Sequence, residues 1–262
     1  MSDVNFYIVA HRGVWAGNIV QNTKEAAQLA QQAGADIVEI DVCRSKDGEY
    51  YLFHDGAEMD LLGVATPFDQ LTSAEIDALE LLNATRQPSG YRVNRLVDFL
   101  AWLPATYRVN LDRTWPYWQD HTFWQILNNS GKNGQLLLKA PAEYRLPDTE
   151  VAYFPIIKSQ ADFQKVLNVP PIKLVGAEFV IADWQATDLL EPAFLQQMHQ
   201  IYPLRLVNAE NLGPTKPLFG SYHDDGALMN AGKDWQVMLD YGFNAIQTDW
   251  TRALWEFRQK GH

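Results

Sequence analysis

The chain has 262 residues, 47% of them hydrophobic and 20% charged, with a formal net charge of -11. That size and composition fit a folded α/β protein with a sizeable core and exclude a disordered chain. So acidic a surface repels nucleic-acid phosphates and anionic membranes, and an anionic substrate then needs a local metal or Arg/Lys pocket. The single Cys43 excludes an internal disulfide and a Cys-rich zinc site. No apolar run reaches the ~18 residues that span a membrane. Asp3 stands where a leader would carry a basic residue. The expected location is therefore cytoplasmic, without stable membrane insertion. The sequence leaves the oligomeric state open.

Phe6 to His11 reads as a short strand ended by Arg12-Gly13. Thr23 to Gly34 has helical spacing, with Asn22 or Thr23 as N-cap and Gly34 as the stop. Ile37 to Val42 is the next strand, and Lys46-Asp47-Gly48 turns the chain back into Tyr50 to His54. Helices are predicted over Ser73 to Leu82 and Leu96 to Leu103. Tyr107 to Asp112 is a strand, followed by a Trp-rich helix from Pro116 to Asn128 that the proline opens. Further strands fall at Leu136 to Lys139, Val151 to Lys158, Ala177 to Ala182, Leu204 to Val207 and Ala245 to Asp249. Helices separate them: a Ser159-capped one to Leu167, then about Leu189 to Ile201, Gly226 to Tyr241, and Arg252 to the end.

About eight strands alternating with helices imply a parallel sheet covered by helices, and this length suits a closed (β/α)₈ barrel. A hairpin-and-helix insertion occupies about residues 43–93, after the second strand. An open doubly wound sheet is the alternative, disfavoured because no Gly-rich dinucleotide fingerprint follows the first strand. With no internal repeat or linker, residues 1–262 read as a single domain.

In such barrels the site lies at the C-terminal strand ends. Glu39 and Asp41 are two residues apart in an apolar strand, so both carboxylates face one side. Two inward carboxylates repel and lose hydration unless a cation or a shared proton compensates. With Asp112 they form an all-oxygen set suited to one divalent ion, Mg²⁺ or Ca²⁺, rather than zinc. Arg12 and Lys139 supply the positive charge a phosphate oxyanion needs, with Asn110 beside them. His11 and His54 titrate near neutrality and can serve as acid and base. Metal, cation and two histidines describe metal-assisted phosphodiester cleavage. Trp15, Trp115, Trp184 and Trp250 follow strand ends, where an aromatic wall would accept an apolar or choline-like alcohol; Trp15 and Trp250 are the two taken as substrate contacts. Glu210 and Asp249 read as structural polar contacts, and His223-Asp224-Asp225 as a solvated loop.

Several short stretches resemble the glycerophosphodiester phosphodiesterases: HRG at 11–13, NT at 22–23, GAD at 34–36, EIDV at 39–42, SKDG at 45–48, HD at 54–55, VNRLVDFL at 93–100 and GFNAIQTDW at 242–250. They keep the family's order along the whole chain and are densest over the first 55 residues. The resemblance implies a TIM-barrel hydrolase that cleaves glycerophosphodiesters to glycerol 3-phosphate and an alcohol with a divalent metal. It matches His11 and His54 to the two catalytic histidines, Arg12 to the phosphate-binding arginine, and Glu39 and Asp41 to two metal ligands. The third ligand is a glutamate in an N-x-E-x-K stretch, here Asn110-Leu111-Asp112-Arg113-Thr114. Asp112 thus replaces the glutamate, Thr114 the lysine, and Gln21 the glutamate of a P-E-N-T motif. Lys139 is the expected replacement for the missing cation, because strand alternation turns Arg113 away from Asp112. Two other readings stay open: a phospholipase D-like or sphingomyelinase-like barrel, and a catalytically inactive barrel that binds a phosphorylated ligand.

Overall fold

The structure, a computed structural model, describes residues 5–147, 149–168 and 174–261. Eight parallel strands close on themselves: β1 (Tyr7–Ala10), β2 (Ile37–Arg44), β4 (Arg108–Asp112), β5 (Leu136–Pro141), β6 (Ala152–Ile157), β7 (Gly176–Phe179), β8 (Leu204–Asn208) and β9 (Ala245–Thr248). Closure comes from β1, which pairs with β2 through Val9↔Ile37 and with β9 through Val9↔Gln247. The expected (β/α)₈ barrel is therefore the observed one, and closure leaves none of its eight strands as a sheet edge.

The outward strand faces pack on α1 (Lys24–Gln32), α4 (Leu96–Trp102), α5 (His121–Asn129), α6 (Gln160–Leu167), α7 (Pro192–Ile201), α8 (Asp224–Met229), α9 (Lys233–Asp240) and α10 (Thr251–Gln259). A second apolar cluster joins Val9, Ile37, Leu137, Phe154, Leu206 and Ala245. Those residues point inward and plug the barrel. The next inward position, two residues on, is polar in most strands: His11, Glu39, Lys139, Asn208 and Gln247. The barrel is thus apolar at its base and polar at its C-terminal mouth. Gly176 belongs to the inner layer; a Cβ there would lie 2.7 Å from the Phe154 ring.

The insertion after β2 is β3 (Tyr50–Leu52), antiparallel to the end of β2, followed by α2 (Glu58–Leu61) and α3 (Ser73–Ala78). It has its own small core of Cys43, Tyr51, Phe53, Phe68, Leu71 and Ile76. Asp47 in the hairpin turn accepts hydrogen bonds from Ser45 Oγ, Ser73 N and Ser73 Oγ, which ties the turn to the start of α3.

Helices differ from the sequence reading at three places, and the first is α3, which stops at Ala78 instead of reaching Leu82. Pro116 sits in a 3₁₀ turn (Trp115–Tyr117), and α5 begins later, where the Asp120 side chain accepts from Thr122 N. The stretch from 226 to 241 is two helices, because Ala231 and Gly232 adopt left-handed backbone. Gly232 lies against the Phe257 ring, where a Cβ would approach within 2.2 Å.

Gly34 is placed under the same constraint. Its φ is +99°, and a Cβ would come within 2.1 Å of Trp255 Cδ1. Gly34→Ala is expected to lower the unfolding free energy by roughly 2–4 kcal/mol through backbone strain and overpacking. Urea unfolding checks it; a change below about 0.5 kcal/mol would mean α1 and α10 do not meet this way.

Candidate active site

The C-terminal mouth holds a cavity of about 170 Å³ lined by His11, Arg12, Glu39, Asp41, His54, Asp112, Arg113, Lys139, Glu178, Asn208, Glu210 and Gln247, with Leu212 and Leu218 at its rim. A larger groove of about 590 Å³ between the loops after β7 and β8 opens beside it and shares Glu210, Leu212 and Leu218. One oxygen each from Glu39, Asp41 and Asp112 lie within 4.8 Å of one another. Strand pairing aligns them, with Asp41 opposite Asp112 in the β2–β4 register.

Backbone shape brings the residues after β1 onto this group. Arg12 has a left-handed backbone (φ 56°). Its N–H donates to Glu39 Oε2 at 2.9 Å, and its Nε lies 3.2 Å from Asp41 Oδ2. Arg12 Nη1 donates to Gln21 Oε1 at 2.7 Å, so Gln21 keeps an acceptor on the arginine without adding charge. Gly13 has no room for a Cβ, which would lie 2.7 Å from the Ala26 backbone. Asn22, buried and left-handed, donates from Nδ2 to Asp41 Oδ2 and accepts from Asp41 N. Asn22 is thus a clamp on Asp41, while the cap of α1 is Thr23.

Lys139 Nζ lies 2.6 Å from Asp112 Oδ2 and 2.9 Å from Glu178 Oε2, in a side chain only 4% exposed. The expectation that Lys139 reaches Asp112 holds, but both carboxylates occupy its charge. Arg113 is not turned away. Its φ of 60° breaks strand alternation and folds the guanidinium over the mouth. There Nε lies 3.4 Å from Asp41 Oδ1, and Nη1 pairs with Asp55. Thr114 is buried and accepts from Trp118 Nε1 at 3.2 Å.

His11 Nδ1 lies 2.8 Å from Asp249 Oδ1. Asp249, read from sequence as a structural contact, therefore orients a histidine. Asp249 N donates to Asp224 Oδ2 at 2.9 Å, and Asp224 Oδ1 accepts from Trp235 Nε1 and Thr248 Oγ1. Asp224 is 1% exposed, so the solvated-loop reading of 223–225 fails at its central residue. Three other expected contacts are not brought to the cavity. Asn110 is buried beneath Asp112 and does not line it. Trp15 and Trp250 stand 43% and 49% exposed, outside its lining. Trp184 is packed against Phe219, Tyr222 and Tyr241, and Trp115 against Tyr144.

Charge sets the protonation states. Burial, together with Asp41, pushes the Glu39 carboxyl up to about 8, although Lys139 and His11 pull against it. Burial also acts on Asp41, but Arg12, His54 and Asn22 outweigh it and hold that carboxyl below its usual range. Burial opposes charging of His11, yet Glu210, Asp249 and Glu39 raise it to about 9. Burial lowers His54, with Asp41 opposing. The mouth thus pairs one histidine that favours its charged form with one that favours its neutral form. Burial raises Asp224 to about 7.

The structure superposes on a glycerophosphoryl diester phosphodiesterase from Parabacteroides distasonis with a TM-score of 0.77 and 14% identity, over 99% of this chain and 88% of that one. For a glycerophosphodiester phosphodiesterase from Agrobacterium tumefaciens the TM-score is 0.65 and the identity 19%, over 97% and 99%. For an Oleispira antarctica phosphodiesterase in complex with its product sn-glycerol-3-phosphate they are 0.64 and 17%, over 97% and 96%. These likenesses establish the shared fold. No curated protein matches the sequence. The model of the glycerophosphoryl diester phosphodiesterase family matches residues 11–193, more than half of the chain. That match runs from His11 into α7 and spans both histidines and all three carboxylates, and the chain belongs to the glycerophosphoryl diester phosphodiesterase family, as a phosphoric diester hydrolase.

Proposed function

We propose that the chain, acting as one catalytic domain over residues 1–262, hydrolyses a glycerophosphodiester to glycerol 3-phosphate and an alcohol with one divalent ion, Mg²⁺ or Ca²⁺. The observation that carries this reading is three carboxylate oxygens within 4.8 Å in a cavity that also holds two histidines and two guanidinium groups. The Oleispira relative's bound sn-glycerol-3-phosphate supports the choice of product.

The donor set fits a hard cation. Glu39, Asp41 and Asp112 offer only oxygens, and Glu39 resists ionising because burial and the Asp41 charge outweigh the pull of Lys139 and His11. When bound, such an ion neutralises charge and polarises a phosphoryl oxygen. Asn22, Arg12 and Lys139 hold the three carboxylates from behind. Arg12 positions the phosphate oxygens. His54, kept neutral by burial, accepts the proton of the attacking oxygen. His11, kept charged by Glu210 and Asp249, donates a proton to the leaving alcohol. Asp249 holds His11 Nδ1 at 2.8 Å, which leaves Nε2 for the leaving alcohol. Trp15 and Trp250, exposed and outside the cavity lining, are the residues proposed to meet the alcohol beyond it.

No helix among the described residues is long and apolar enough to cross a membrane.

His11→Ala and His54→Ala should each lower kcat by about 10²-fold or more, and a chelator should abolish turnover until Mg²⁺ or Ca²⁺ is restored. A glycerophosphodiester panel assayed for released glycerol 3-phosphate decides this; near-wild-type turnover in both variants ends the scheme. Stability in chelator should fall as pH rises. In the folded state Glu39 keeps its proton to about 8 against an ordinary 4.5, and His11 to about 9 against 6.5. The folded state then binds more protons than the unfolded one across that window, and each such difference lowers stability as pH increases. Urea midpoints from pH 5 to 9 measure it, and a flat metal-free profile would contradict the buried, uncompensated Glu39. Trp15→Ala and Trp250→Ala should raise KM for a choline diester more than for an ethanolamine one. Equal shifts for the two diesters remove both tryptophans from the substrate.

A further inference from the structure

Given phosphodiester cleavage at this centre, as proposed above, we infer that Arg113 is a second phosphate-binding residue, acting opposite Arg12. Three cationic side chains with permanent charge line the cavity: Arg12, Arg113 and Lys139. They are not equally free to meet an anion. Lys139 Nζ is held 2.6 Å from Asp112 and 2.9 Å from Glu178, with the side chain almost wholly enclosed. A compact ammonium with one charge, shared between two carboxylates, has little left for a ligand.

Arg113 differs on each point. Its side chain is 36% exposed and reaches both the cavity and the surface. One partner, Asp55, is 59% exposed, and ion pairs that open to water hold weakly. The other partner is Asp41, at 3.4 Å from Nε. A guanidinium carries five N–H donors, so these two contacts do not saturate it. The backbone is also committed to this placement. Position 113 adopts φ 60°, a conformation side chains with a Cβ rarely take, and it brings the guanidinium over the mouth.

The geometry then gives each phosphate oxygen a partner. Arg12 Nε approaches Asp41 Oδ2 at 3.2 Å and Arg113 Nε approaches Asp41 Oδ1 at 3.4 Å, so the two guanidinium groups flank one carboxylate. A phosphodiester monoanion has two non-bridging oxygens. Seated at this mouth, it meets one arginine on each side. Arg113 exchanges its weak Asp55 contact for a phosphate oxygen on binding.

Isothermal calorimetry with inorganic phosphate and with glycerol 3-phosphate, in Mg²⁺ buffer, tests this on the full chain. Arg113→Met is expected to weaken both by roughly tenfold or more, and Arg113→Lys to recover part of the loss. Asp55→Asn, which releases the guanidinium, is expected to bind phosphate as tightly as wild type or tighter. In turnover assays Arg113→Met should raise KM for the diester. Unchanged phosphate affinity in Arg113→Met, or weakened affinity in Asp55→Asn with Arg113 intact, overturns the assignment. Wild-type protein that binds phosphate through Arg113 but cleaves no diester overturns the reaction proposed above and leaves Arg113 as a phosphate ligand.

Discussion

The mouth of this barrel is built around the burial of like charges. Glu39, Asp41 and Asp112 share a space less than 5 Å across, and Glu178 and Glu210 are buried next to them. Removing carboxylates from water costs several kcal/mol each unless opposite charge and hydrogen bonds replace the lost hydration. The surrounding residues are disposed to do that. Arg12 and Arg113 flank Asp41, Asn22 adds two hydrogen bonds to it, and Lys139 bridges Asp112 and Glu178. Glu39 accepts the Arg12 N–H, and its raised pKa reflects burial and the Asp41 charge outweighing the pull of Lys139 and His11. A site that stays under-neutralised in the chain alone is one that a divalent cation stabilises by binding.

The strand periodicity made most of this visible before any coordinates. Period-2 alternation places Glu39 with Asp41 and Asn110 with Asp112 on one face, and parallel pairing brings Asp41 opposite Asp112. The barrel itself follows from repeated β-then-α units. Alternation stops predicting where strands end. Arg12 and Arg113 adopt left-handed backbone just past such ends, Asn22 does so just before α1, and each turns its side chain to the carboxylates. A rule based on extended backbone cannot place them. It sent Arg113 to the wrong face for that reason.

Asp224 shows a second kind of illegibility. His223-Asp224-Asp225 follows a Gly-rich loop and resembles exposed polar sequence. Its burial depends on a contact eleven residues away, where Trp235 Nε1 donates to Asp224 Oδ1. That contact exists because the chain breaks between α8 and α9 at Ala231-Gly232 and folds α9 back. Asp224 also accepts from Thr248 Oγ1 and Asp249 N, so it joins α8, α9 and the end of β9. The carboxylate that orients His11 is thus held by another that no local pattern marks.

Asp112 and Lys139 meet across the β4–β5 ladder. The last registered pair between β4 and β5 is Leu111↔Leu138, so Asp112 and Lys139 are the next neighbours across the ladder. A lysine on β5 therefore reaches the carboxylate end of β4 without a lysine on β4 itself. Its Nζ lies 2.6 Å from Asp112 Oδ2, a contact a short side chain permits by leaving room for the ammonium. Thr114, freed from carrying charge, packs into the wall and accepts from Trp118. Moving the cation one strand over changes what it can touch. On β5 the ammonium also meets Glu178 from β7 and becomes part of the barrel's internal ion network. The guanidinium groups over the mouth are then those of Arg12 and Arg113 at the strand ends, where the backbone is left-handed.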